Sequence, residues 1–264
     1  MKIGMIGAGN LASHLAPALQ GVGHEIVAVY SRTRSSADAL AGKMGVPAVV
    51  NLCQMPKADV YIFSVRDDAL QTLVDELCPM QQDALFLHTA GSMPMSVFEQ
   101  VAQRYGVFYP MQTFSKLREV DFRRIPCFIE GSSSEVLFVI RSLALQISEE
   151  VLMLDSEKRR MLHLSAVFAC NFVNHCYAEA ARLVEKAGIP FSVMLPLIDE
   201  TASKVHELHP LQAQTGPAVR YDSLVMQRQM DMLADPGAKR IYQDISEQIH
   251  TYAQESLDDT KKTK

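Results

Sequence analysis

Ile3-Gly4-Met5-Ile6-Gly7-Ala8-Gly9-Asn10-Leu11-Ala12 is the stretch on which the reading of this chain turns. Residues 2 to 6 form a short apolar run suited to a buried strand, and Leu11, Leu15, Ala18 and Leu19 then recur at helical spacing. Between the two lies G-x-G-x-x-A. The first glycine permits a tight turn, the second lets bare backbone approach a pyrophosphate, and the small third residue lets helix pack on strand. The pyrophosphate would rest on the free N–H groups of the helix N-terminus, so Gly7, Ala8, Gly9, Asn10 and Leu11 are expected to bind a dinucleotide. A glycine-rich turn alone is a weak signal. Its place between that strand and a second one, "HEIVAVYSR" from His24 to Arg32, makes it specific.

The second strand, about Glu25 to Tyr30, ends where an NAD-specific site carries Asp or Glu for the ribose 2′-hydroxyl. Here Ser31, Arg32, Thr33 and Arg34 follow instead. A carboxylate repels a 2′-phosphate, whereas a guanidinium binds it bidentately and stacks on adenine, with hydroxyls completing the cradle. Arg32, flanked by Ser31 and Thr33, is therefore expected to select NADP. The plainer alternative is a solvated basic turn opening the next helix, with Ser35 or Ser36 as its cap.

Further along, a helix over Ser36 to Met44 and short strands over 47–50, 58–65, 84–88, 105–109, 127–130 and 151–154 continue the alternation. Helices are expected from Arg66-Asp67-Asp68 to about Leu77 and over 132–147. Continuous apolar runs such as 58–65 mark strands buried on both faces of a parallel sheet. Beyond Leu154 helical patterns dominate, broken at Gly188-Ile189-Pro190, His209-Pro210, Gly216-Pro217 and Pro236-Gly237. The expected fold is α/β: a Rossmann-type, doubly wound, mostly parallel sheet in residues 1–155, followed by an all-helical C-terminal domain in 156–264. The last ten residues, "ESLDDTKKTK", are too polar to pack and read as a frayed, solvated tail.

The chain has 264 residues, 48% hydrophobic and 21% charged, with a net charge of −5, a balance that offers nucleic acid nothing. Its five cysteines are odd in number and form no C-x-x-C, which argues against a disulfide framework or zinc ribbon and for a reducing cytoplasm. No leader pattern opens it, and no apolar run approaches the ~18 residues of a membrane span. His206 and His209 lack partners at metal-like spacing, so no metal is expected.

Ligands of a doubly wound sheet sit beyond the carboxyl ends of its strands. Ser64, Val65 and Arg66, the segment from His88 to Ser92, and the segment from Tyr109 to Phe114 qualify. The first three residues and His88 are expected near the nicotinamide half of the cofactor, Val65 as an apolar floor. For His88 the alternatives are proton donor, ribose ligand or a hydrogen-bonded structural residue. In "HLSAVFACNFVNHCYAEAARLVEK", at ~100° per residue, His163, Asn171 and Asn174 share an arc of ~80° on a largely apolar helix. They are the catalytic or substrate-orienting candidates, with interhelical or dimer contacts as the alternative. "AQTGPAVRYD" places Pro217 to begin a helix capped by Thr215 or Gly216, where Arg220 would assist an anion or pair with Asp222.

The ordered set "IGAGNLA", "VYSRT", "LHTAGSMP", "YPMQTFS", "IPCFIEG", "HLSAVFACNFVNH" and "QTGPAVRYD" resembles a bacterial family of NADP oxidoreductases, in which a Rossmann domain precedes a helical domain of unknown function. That family is described by similarity to coenzyme F420-dependent NADP oxidoreductase and pyrroline-5-carboxylate reductase. The resemblance runs from Met1 to about Leu233 and implies the fold, NADP binding and a homodimer assembled through the helical domain. Related hydroxyacid dehydrogenases carry lysine four residues before asparagine on the interdomain helix, but Val167 stands there relative to Asn171, so their mechanism does not transfer. Tyr221 stands where the family's "RGD" leads one to expect glycine.

The expected function is an NADP(H)-dependent oxidoreductase that reduces a small C=O or C=N compound between its domains. The alternative is a non-catalytic NADP-binding sensor or regulatory dimer. A third reading uses F420 as hydride partner, for which the residues offer no distinctive signal.

Overall fold

The computed structural model describes residues 1–262. It divides into two compact units, Met1–Asn171 and Phe172–Lys264. In the first, β1 (Lys2–Ile6), α1 (Ala12–Gly21), β2 (Glu25–Tyr30), α2 (Arg34–Met44), β3 (Ala48–Val49), β4 (Val60–Phe63), α3 (Asp67–Leu77) and β5 (Leu85–His88) follow the predicted alternation. β6 (Arg104–Pro110), β7 (Cys127–Gly131), α4 (Ser134–Leu145), β8 (Val151–Met153) and α5 (Ser156–Ala166) complete it.

All eight strands form one sheet in the order β3-β2-β1-β4-β5-β6-β7-β8. Every pairing is parallel except β6 with β7. The first six strands thus take the 3-2-1-4-5-6 order of a dinucleotide-binding sheet, with its ligand crevice where the order reverses between β1 and β4. The Rossmann-type fold expected from Gly7-Ala8-Gly9 is the fold observed.

Side-chain alternation along the central strands builds a core on each face. Ile3 and Met5, Val60 and Ile62, and Leu85 and Leu87 meet Leu15, Leu19, Leu40 and Ile140 on the side of α1, α2 and α4. Ile6, Tyr61, Phe63 and Phe86 point the other way, onto Leu70, Val74 and Leu77 of α3 and onto Phe98. Because strand residues alternate faces, continuous apolar runs are what two covered faces require.

α5 passes into a π-helical segment, Val167–Phe172, and then α6 (Val173–Lys186). This corrects the predicted polar stripe. Each i→i+5 turn takes up about one residue more than an α-turn, so side chains beyond it lag by ~100°. The arc assigned to His163, Asn171 and Asn174 on a uniform helix does not survive it.

The second unit continues with α7 (Leu195–Glu207), α8 (Pro210–Ala213), α9 (Ser223–Met232) and α10 (Pro236–Lys262). Among its described residues there is no strand. Pro217 does not start a helix. Residues 217–221 form turns, and α9 begins only at Ser223, where the Asp222 carboxylate accepts the N–H of Val225. Asp222 is engaged as a cap, and no Arg220–Asp222 ion pair forms among the described residues. Tyr221 has a φ of 53°, in the left-handed region where a side chain is strained, which accounts for the glycine expected at that position. α10 carries on to Lys262 through most of the stretch predicted to be a solvated tail; residues 263 and 264 lie outside the described residues.

Candidate functional site

The turn after β1 is built around a close approach. Gly7 has a φ of 115°, and a Cβ there would sit 2.1 Å from the Ser64 carbonyl oxygen at the end of β4. Only glycine lets these two strand ends lie side by side, with Ser64 N–H donating to Ile6 O at 2.7 Å. At Gly9 a Cβ would meet no protein atom within 4 Å. Its bare backbone faces a cavity of about 910 Å³, near the upper end of what ligand sites occupy.

The same cavity is lined by Ala8, Asn10 and Leu11 from this turn, by Ser31, Arg32, Thr33 and Ser36 after β2, and by Ser64, Val65 and Arg66 after β4. Of the residues expected to hold cofactor, all but His88 are in its wall. His88 is fully buried beneath it: the ring stacks on Phe98 at 5.7 Å, and Nδ1 accepts the Ala90 N–H at 3.2 Å. Burial, helped by the charge of Arg159, pushes its pKa down to about 3, so the imidazole is neutral.

The two arginines after β2 differ in what they can do. Arg34 is engaged with Asp38 one helical turn on, at 3.0 Å. Arg32 is exposed in the cavity wall and has no ion pair among the described residues. Thr33 stands at the N-cap of α2 without a side-chain capping bond, and its hydroxyl, beside the open amides of the helix start, has no hydrogen-bond partner among the described residues. The nearby carboxylate is Glu76: Tyr30's phenol is pushed up by burial, then by Glu76, with Arg32 opposing. A guanidinium, hydroxyls and a helix N-terminus in one wall are the donor set a 2′-phosphate needs. The residues present fit NADP.

At the other side of the cavity wall are Thr89, Ala90, Gly91, Ser92, Tyr109 and His163. Ser92 Oγ donates a short hydrogen bond to the Asp67 carboxylate, joining the loop after β5 to the start of α3. Of the three catalytic candidates, His163 lines the cavity, with Nδ1 3.0 Å from the Tyr109 hydroxyl oxygen. Asn171 is exposed and does not line it, and Asn174 is exposed. Sequence reasoning named the turn at Tyr109 but gave the residue itself no role. Lys116, also in the wall, was not singled out either.

Among the described residues no group of three His, Cys, Asp or Glu is arranged to hold a metal ion, and no helix is long and apolar enough to cross a membrane.

Comparison with known proteins bears on this site. Residues 2–90 match a family described as "NADP oxidoreductase coenzyme F420-dependent", and residues 125–249 match a domain of unknown function, DUF2520. A solved structure from Bacteroides fragilis, provisionally named an NADP oxidoreductase, is 52% identical, with 95% of this chain and 98% of that one covered and a TM-score of 0.91. The chain belongs to this NADP oxidoreductase family. No curated protein matches it. An imine reductase from Myxococcus stipitatus in complex with NADP+ shares the fold at 15% identity and a TM-score of 0.68, covering 98% and 94% of the two chains. A 1-pyrroline-5-carboxylate reductase from Streptococcus pyogenes does so at 14% identity and 0.60, covering 95% and 98%. NADP is the cofactor of the family, and the cavity wall at Arg32 is suited to it.

Proposed function

We propose that this chain is an NADP(H)-dependent reductase of a small C=O or C=N compound, with residues 1–155 holding the nucleotide and 156–264 serving substrate and dimer. One observation carries the reading: His163 stands in the wall of the same cavity as Gly9 and Arg32. Bound NADPH supplies hydride. The chain's own residues grip the phosphates through the turns after β1 and β2, and His163 offers a proton to the substrate heteroatom. Asn171 and Asn174 have the amide chemistry to orient polar groups of a substrate.

A homodimer through the helical unit is part of the proposal. Of that unit's described residues only Ala218, Met226 and Ser246 are buried, while Leu224 and Met232 are 73% and 78% exposed. Apolar surface on that scale favours a second copy as its cover. Five free cysteines agree with a reducing cytoplasm.

The test is to follow oxidation of NADPH by absorbance against a panel of small imines, 2-oxoacids and F420. Turnover of a C=N or C=O compound is expected. Tight NADP binding with no oxidation across the panel would contradict the reading and favour a sensor. Light scattering should give twice the mass of one chain.

A further inference from the structure

Tyr109 lies near the carboxyl end of β6, with its ring buried and its edge in the cavity wall. Its ring meets that of His163 edge to face, at 6.0 Å and 74°, and its hydroxyl oxygen is 3.0 Å from Nδ1. Gly91 closes the same edge of the imidazole: a Cβ there would stand 2.5 Å from Nδ1 and 2.6 Å from Cγ. Nε2, on the opposite edge, has no protein hydrogen-bond partner among the described residues and is not buried. In a half-buried residue that lines the cavity, it is the nitrogen left for a ligand.

We propose that Tyr109 is a positioning residue, which holds His163 so that a proton sits on Nε2 and faces the substrate; this rests on the reductase reading above. The phenol is kept neutral, because burial raises its pKa against the opposing charge of Arg159. A neutral phenol serves either state of the ring. With neutral imidazole it donates to bare Nδ1, which leaves the single ring proton on Nε2. With imidazolium its oxygen accepts from Nδ1–H, and Nε2 is protonated again. In the reduction, the Nε2–H bond of the imidazolium breaks and its electron pair stays on the ring. The proton forms the new O–H or N–H bond, the hydride being that of the bound cofactor, and solvent returns a proton to Nε2.

Nitrogen NMR of protein carrying ¹⁵N-histidine, without nucleotide, reads the tautomer directly, and His163→Gln identifies the signal. Wild-type neutral His163 should show protonated Nε2 and bare Nδ1. In Tyr109→Phe a second form with protonated Nδ1 should appear, while NADP+ affinity stays within about twofold, since binding energy of the nucleotide lies in other residues. With a substrate in hand, kcat of Tyr109→Phe should fall ~10-fold or more at unchanged KM for NADPH. Protonated Nδ1 in the wild type, or a Tyr109→Phe spectrum identical to it, overturns the proposal even if a substrate is turned over. Predicted spectra with no turnover of any compound would instead overturn the reductase reading, and the donor role with it.

Discussion

Arg159 Nη1 lies 2.5 Å from Glu130 Oε2, and the guanidinium is only 1% exposed. The pair joins α5, which carries His163, to β7. Ser156 Oγ donates to the same carboxylate oxygen at 2.7 Å and accepts the Met95 N–H at 2.9 Å, while Arg159 Nη2 donates to Met93 O at 2.6 Å. The first turn of α5 therefore also fixes the loop that follows β5. Removing one partner leaves a buried charge uncompensated. Arg159→Met or Glu130→Leu should cost ~3–5 kcal/mol, and the double variant Arg159→Met/Glu130→Leu clearly less than the sum of its parts. Urea unfolding measures all of them, and additive costs would show that the two groups do not act as a pair.

His88 makes stability depend on pH in a defined window. Its folded pKa is pushed down to about 3 from 6.5 by burial and then by Arg159. Below 6.5 the unfolded chain takes up a proton that the folded one refuses, so stability is lost as pH falls from 6.5 toward 3, at up to roughly 1.4 kcal/mol per pH unit. His24, also lowered by burial, adds in the same direction. Unfolding free energies at pH 7 and pH 5 should differ less in His88→Asn than in the wild type. An equal acid slope in both would remove His88 as a cause.

Tyr221 isolates a backbone cost. Its φ is 53°, and its ring lies against that of His250, tilted by 40° with centroids 4.6 Å apart. Alanine removes the ring and keeps the strain, whereas glycine removes both. Tyr221→Gly should therefore be more stable than Tyr221→Ala by ~1 kcal/mol. Thermal melts of the two variants decide it, and alanine as the more stable one would contradict the strained conformation.

What was legible in the sequence was local and periodic. The turn at Gly7 and Gly9, the stop at Ser31-Arg32-Thr33 and the short apolar strands follow from neighbouring residues, and the fold followed from them. The rest depended on residues distant in sequence or on departures from regular geometry. A helical wheel assumes a constant angle per residue, so the π-helical segment after Ala166 was invisible to it, and the ~80° arc drawn through Asn171 and Asn174 presumed a regular helix that the chain does not form there. Arg159 looks like a solvated charge on α5 until Glu130, 29 residues earlier, is brought beside it. Tyr109 and Gly91 gain meaning only from the ring of His163. Pro217 looked like a helix start because the turn through Tyr221 that delays α9 uses a backbone conformation glycine usually marks.

The account stands on Arg32 as the group that meets the 2′-phosphate, and calorimetric titration of wild type and Arg32→Ala with NADP+ and NAD+ tests that most directly. A charge-assisted bidentate contact of ~1.5–3 kcal/mol predicts that the variant loses on the order of 10- to 100-fold in NADP+ affinity while its NAD+ affinity is unchanged. Equal weakening of both nucleotides, or no change for either, would contradict it.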